Sequence, residues 1–193
     1  VNTTGASNTA VGTLALDANT TGPDNVAIGC GSLIDNTTGL ENTAVGARSL
    51  PNNTTASYNT SIGKDSMFYN TTGANNTAVG RKTLEDNTTG EDNTAIGQAA
   101  LGANTTGVSN TALGKNAALS NTTGVCNTAI GKNALDGVTT GDSNVAIGRY
   151  SGADAMINIT TVDNRGVFGH NSITTAYVKV AWTVTSDARD KMN

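Results

Sequence analysis

The chain is poor in the residues that usually carry chemistry: 193 residues include one histidine, one tryptophan, two prolines and two cysteines. Charged residues make up only 13% and aromatic residues 4%. Each scarcity removes a class of function. The lone histidine, His170, lies between Gly169 and Asn171 and reads as a loop residue. The carboxylates are scattered, and none pairs with another at a spacing suited to acid–base work. The chain is therefore read as a non-enzyme, with no cofactor and no metal site. Eleven basic residues against fifteen acidic ones, a net charge of −4, leave no basic face to engage phosphates, which argues against nucleic-acid binding. No apolar run approaches the roughly 20 residues needed to span a bilayer, so no membrane insertion is expected.

The cysteines, Cys30 and Cys126, have neither a neighbouring thiol nor a histidine partner. They fall in different repeat positions, more than five repeats apart. At about 4.8 Å per stacked coil that separates them by roughly 25 Å, far beyond the reach of about 7 Å that a disulfide allows. Two small buried thiols are expected.

What the chain has in abundance is a repeat. The phrase Asn-Thr/Val-Ala/Ser-Val/Ile/Leu-Gly occurs nine times, its glycines stepping by 17 residues from Gly12 to Gly148. A second phrase, Asn-Thr-Thr-Gly, keeps the same period, and Ala56 is the one break in its glycine register. A fixed period without insertions implies one unit stacked on copies of itself. Disorder fits poorly, because net charge is low and Thr, Val and Ile are plentiful. Seventeen residues cannot hold a helix and a strand with their turns, so the unit is read as a β-coil of two short strands and two turns.

The period-two phrase forms the first strand. Thr gives way to valine at Val26 and Val145, which points the Thr/Val face inward. The intervening position holds only Ala or Ser, so that face is expected to pack against backbone as well. A second short strand or bend carries Leu16, Leu33, Leu50, Met67, Leu84, Leu101 and Leu135. Asn-Thr-Thr-Gly then turns the chain, its glycine supplying positive φ. Two large aliphatic side chains per coil, worth roughly 1.5–3 kcal/mol each, do not offset the backbone entropy of 17 residues at about 1–2 kcal/mol apiece. The all-small face offers a remedy by letting partner chains approach closely, and an obligate homo-oligomer is expected.

The phrases Asn25-Val26-Ala27-Ile28-Gly29 and Asn144-Val145-Ala146-Ile147-Gly148 resemble the head repeats of trimeric autotransporter adhesins. The resemblance covers residues 1–148 and implies a homotrimeric, left-handed parallel β-roll of about nine coils. The longer coil and the Asn-Thr-Thr-Gly turn depart from that pattern and resemble repeats of phage tail fibres that end in an endosialidase-type intramolecular chaperone. Residues 149–193 leave the 17-residue repeat, with strand-like stretches at 155–162 and 173–185, and are expected to form a non-repeat β neck. They end in Ser186-Asp187-Ala188-Arg189-Asp190-Lys191, which resembles the junction where such a chaperone begins and cleaves itself off between serine and aspartate. By that resemblance Ser186 is the nucleophile, Lys191 its base and Ser186-Asp187 the cleavage site. A serine hydroxyl needs such an adjacent base, and a lysine of lowered pKa can serve.

The resulting expectation is a virion tail-fibre segment, structural and host-attaching, that meets a cell-surface glycan or protein receptor outside the cell. The alternative is an adhesin head on a bacterial surface. Several features bear on attachment. Basic residues recur just after the glycine at Lys64, Arg81, Lys115, Lys132 and Arg149, and acidic ones at Asp24, Glu41, Glu91, Asp92 and Asp142. Stacking turns them into two stripes, read either as protomer register or solvated charge, or as a rail for anionic glycans. Tyr58, Phe68 and Tyr69 gather in the fourth coil and are candidate glycan contacts, or else a packing irregularity. The Asn-Thr-Thr triplets are formal glycosylation sequons, but their regularity marks them as turn residues bonding local backbone. Their adjacent threonines point to opposite faces of an extended stretch, which argues against ice binding.

Overall fold

The computed structural model describes residues 2–153 and 161–169, so the candidate processing residues Ser186, Asp187 and Lys191, and His170, lie outside the described residues. Those described form a β-solenoid without helices. Ten three-residue strands stack in chain order in one parallel sheet, from β1 (Thr9–Val11) through β2 (Val26–Ile28), β3 (Thr43–Val45), β4 (Thr60–Ile62), β5 (Thr77–Val79), β6 (Thr94–Ile96), β7 (Thr111–Leu113), β8 (Thr128–Ile130) and β9 (Val145–Ile147) to β10 (Gly166–Phe168). Each residue pairs with its equivalent one repeat away, as in Ala78 with Ala95. Nine steps of about 4.8 Å make a rod of roughly 43 Å.

The tenth strand extends the sheet past residue 148. Gly166 pairs with Val145, Val167 with Ala146 and Phe168 with Ile147, a step of 21 residues in place of 17. The backbone N–H of Arg165 donates to Asn144 Oδ1 (3.0 Å), the same bond each earlier coil makes to the next. The added residues hide the repeat from a period search, but the closing Val167-Phe168-Gly169 keeps the small-to-bulky apolar order of the strand phrase.

The strand faces are reversed relative to the sequence expectation. Ala27, Ala44, Ala78, Ala95, Ala129 and Ala146 are fully buried, whereas the flanking Thr/Val and Val/Ile/Leu positions are half-buried or exposed. The small residue points inward because a 17-residue coil is too thin to admit anything larger opposite the leucine column. Ser61, the one serine at this position among β1–β9, is accommodated by partners: Ser49 Oγ donates to it at 2.8 Å and Ser61 Oγ donates to the Ser66 carbonyl at 3.1 Å. Leu33, Leu50, Met67, Leu84, Leu101 and Leu135 are buried as expected and fill the remaining interior.

Those leucines lie on a bend, and no second strand forms. Three positions per coil adopt left-handed backbone, as at Lys82, Leu84 and Asp92 (φ 57°, 49° and 58°). Left-handed geometry costs an L-residue roughly 1–2 kcal/mol, so it persists only where the surroundings hold it. Here the stacking does so: Leu84 N–H donates to the Ala100 carbonyl (3.0 Å) and Asp92 N–H to the Ala74 carbonyl (3.2 Å). Alternating handedness lets the chain bend tightly while its polar groups still point along the rod.

The two glycine registers serve different purposes. The glycines that end β1–β9 hold φ between 124° and 137°, as at Gly148 and Gly80, where a side chain is strained. A Cβ on Gly97 would also meet Gly114 carbonyl atoms at 2.6 Å. The Asn-Thr-Thr-Gly glycines, contrary to expectation, do not have positive φ. They are small because the coils touch: a Cβ on Gly107 would lie 2.5 Å from the Gly124 carbonyl oxygen.

Two buried asparagine columns run beside them. Asn87 Nδ2 donates to Asn70 Oδ1 (2.7 Å) and to the Gly90 carbonyl (3.0 Å). Asn76 Nδ2 donates to that same carbonyl at 2.8 Å, and Asn76 Oδ1 accepts the Asn93 backbone N–H at 3.0 Å. One carbonyl thus binds an amide from each column. Ala56 plays the glycine part in the fourth coil, accepting Asn42 at 2.8 Å and Asn53 at 2.9 Å. The following threonine adds a third column, Thr88 Oγ1 donating to the Thr105 carbonyl at 3.0 Å. The turns are therefore bonded between coils as well as locally. Complete burial of Asn36, Asn53 and Asn87 also bars glycan attachment at those sequons in the folded coil.

The column has one gap. In the ninth coil Val138, fully buried, stands where asparagine is expected, and Asn121 Oδ1 is left buried without a hydrogen-bond partner. The column interior should then be more sensitive than its end. Asn87→Val removes three bonds, including that from Asn104 Nδ2 (2.8 Å), and should cost about 2–4 kcal/mol at about 1 kcal/mol per bond plus an unpaired buried group. Asn121→Val also deletes the oxygen that already lacks a partner, and should cost about 1–2 kcal/mol. Thermal melting of both variants checks the order, which fails if Asn121→Val is the more damaging.

Candidate functional site

The strands place two kinds of residue on the surface: the outward positions of the sheet and the turn residues that follow each glycine. The first make an apolar stripe. Val11, Ile28, Ile62, Ile96, Leu113 and Ile147 are 39–58% exposed, and each sits two residues from a threonine or valine on the same face.

The second kind begins with the basic stripe. Lys64, Arg81, Lys115, Lys132 and Arg149 all occupy the position after a strand-ending glycine and all are exposed. Cys30 shares that position, and Cys126 replaces the acidic residue before the strand asparagine. Both thiols are exposed and free, which overturns the expectation of buried cysteines. The positions face outward in every coil, so a small side chain there does not gain burial. Among the acidic residues, Asp142 ties two coils together, because its Oδ1 accepts the Val125 backbone N–H at 2.8 Å.

The stripe deepens into a cleft of about 280 Å³ at the third to fifth coils. The 17-residue step stacks Arg48, Asp65 and Lys82 in one left-handed column. Arg48 Nη2 lies 2.6 Å from Asp65 Oδ1, and Lys64 Nζ is 4.0 Å from Asp65 Oδ2. The Arg48–Asp65 contact is an ion pair that is not aligned as a hydrogen bond. Asp65 is buried beneath the two cations, with its side chain only 7% exposed. Lys82 Nζ donates to Glu85 Oε1 at 2.7 Å, and that bond holds the ammonium above its ordinary pKa. Arg81 makes no ion pair among the described residues.

Two of the three aromatics singled out in the sequence form a wall of this cleft. Phe68 and Tyr69 meet edge to face with ring centroids 4.8 Å apart, and the Arg48 guanidinium lies 5.2 Å from the centre of the Phe68 ring. Tyr58 is not part of it: it precedes β4, whereas Phe68 and Tyr69 follow it, and it does not line the cleft. Tyr58 takes the left-handed position (φ 63°) held by Glu41 and Asn75 in adjacent coils. Arg48, Asp65 and Lys82 do not stand out in the sequence, although aligning repeats by column rather than by phrase brings them together.

Among the described residues no group of three or more His, Cys, Asp or Glu converges as metal ligands, and no helix is long and apolar enough to cross a membrane. No family model, curated protein or solved structure matches the chain.

The Lys82 environment can be checked directly. Glu85→Gln removes the carboxylate and should lower the Lys82 pKa toward its ordinary value, read from the side-chain NMR titration. An unchanged midpoint would show that Glu85 is not its controlling partner.

Proposed function

We propose that this chain is a rod segment of an extracellular attachment fibre, in which three copies bundle along their sheet faces and hold surface residues at fixed spacing. The observation that carries the reading is the outward apolar stripe. Isolated apolar residues on a surface need no explanation, but a continuous file of Val, Ile and Leu over nine coils does. A second and third copy fit it best, because an identical chain presents an equally long and straight file at the same spacing.

This changes the physical basis for assembly. The Ala/Ser file faces each coil's own interior, so close approach of small residues between chains cannot drive it. Covering Val11, Ile28, Ile62, Ile96, Leu113 and Ile147 is the driving force instead, at about 25 cal/mol per Å² of apolar surface removed from water. Interlocked amide columns and short, repetitive coils suit a stiff spacer. The tail-fibre assignment, with extracellular placement on a virion, rests on the likeness of Ser186-Asp187-Ala188-Arg189-Asp190-Lys191 to a self-cleaving chaperone junction.

Native mass measurement tests the assembly. The expected mass is three times the 19.4 kDa of one chain, and Ile96→Asp in the middle of the stripe should shift the population toward single chains. Single chains of the unaltered protein at micromolar concentration would overturn the bundled rod.

A further inference from the structure

We infer that the cleft on the third to fifth coils is a binding site for a carboxylated sugar unit, of the uronic-acid type, within a surface polysaccharide. This deepens the attachment reading and rests on it for biological meaning, though not for chemistry.

Four observations converge. The cleft concentrates positive charge: Arg48, Lys64, Arg81 and Lys82 face only Asp65 and Glu85, in a chain whose net charge is −4. The pairing within it is uneven. Arg48 is engaged with Asp65 and Lys82 with Glu85, while Arg81 keeps a guanidinium free of any ion pair among the described residues. An unpaired guanidinium at a cleft can take a carboxylate through two parallel hydrogen bonds.

Next to it stands an aromatic wall. Tyr69 is 51% exposed and braced edge-on by Phe68, so it offers a fixed ring to the C–H face of a sugar. Arg48 over the Phe68 ring stiffens the same wall. The third element is Asp65. It lies buried between Arg48 and Lys64, and its ionised oxygens can only accept hydrogen bonds. A ligand reaching it must bring O–H or N–H donors, and a sugar ring offers several hydroxyls in a fixed array where an acidic peptide offers only backbone amides and a terminal ammonium. Lastly, the volume of about 280 Å³ falls just below the range of drug-sized ligand pockets, about 300–1,000 Å³, and suits one ring of a longer chain.

The regular coils show why the site occurs once. Elsewhere the column of Arg48, Asp65 and Lys82 holds Leu14, Gly31, Ala99, Asn116, Asn133 and Tyr150, and the position of Tyr69 holds Ala18, Asp86 and Ala103. Among the described residues, only these coils combine clustered cations with a buried carboxylate and an exposed ring.

The test is calorimetric titration of the intact chain with trigalacturonate, maltotriose as the neutral counterpart and triglutamate as the charge-only counterpart. Trigalacturonate should bind at least about tenfold more tightly than either, and Arg81→Gln and Tyr69→Ala should each weaken it by about tenfold or more, as expected for one charge-assisted or stacking contact. Lys132→Gln, on the same basic stripe but outside the cleft, should leave it unchanged. Both altered side chains are exposed, and circular dichroism verifies that each variant keeps its fold. Equal binding of triglutamate, equal weakening by Lys132→Gln, or no trigalacturonate binding at millimolar concentration would each overturn the site. A trimer that fails to bind removes the site and keeps the rod, whereas a single chain that binds removes the bundle and keeps the site.

Discussion

Everything in this structure depends on one constraint: each coil must hand its buried polar groups to an identical coil one step away. A 17-residue turn is too thin to satisfy them internally. The amide of Asn76 reaches the Gly90 carbonyl and its oxygen takes the Asn93 N–H, so both of these bonds join one coil to the next. An unpaired buried amide or carbonyl costs about 1–3 kcal/mol, a penalty no coil could bear alone. The fold therefore exists only as a stack.

That constraint explains what varies and what does not. Residues in the amide columns, the touching glycines and the inward alanines are nearly uniform, because a change there disturbs two coils at once. Residues outside the contact region diversify freely. Glu41, Tyr58 and Asn75 share one outward position with no cost to the stack, as do Cys30, Lys64 and Arg81. The rod thus separates a rigid interior from an editable surface, and the cleft beside Tyr69 lies in the editable part. It arises where three neighbouring coils carry complementary choices in adjacent columns.

The solenoid was legible in the sequence because its period is a direct consequence of stacking. The parallel register and the buried leucines followed from the same count. The glycines were legible in position but not in reason: those of Asn-Thr-Thr-Gly mark coil contact and do not supply positive φ. The tenth strand was hidden by four extra residues in its connection. At the cleft, aromatic scarcity drew notice to Phe68 and Tyr69, but it also drew in Tyr58, which lies elsewhere. The charged partners carry no such signal, because Arg48, Asp65 and Lys82 are 17 residues apart and belong to no shared phrase.

The sequence by itself determined the unit, its length and the identity of the stacking columns, since hydrogen bonding between equivalent residues demands repetition at fixed intervals. It could not determine which strand face is interior. Alternation establishes only that Ala and its neighbours point oppositely, and hydrophobicity favours the wrong side, because Val and Ile are the greasier pair. The tertiary structure decided the question through space. The 17-residue coil closes so tightly through its left-handed turns that the inward strand position of β1–β9 takes only Ala or Ser, which drives the larger strand residues out to the surface of the rod.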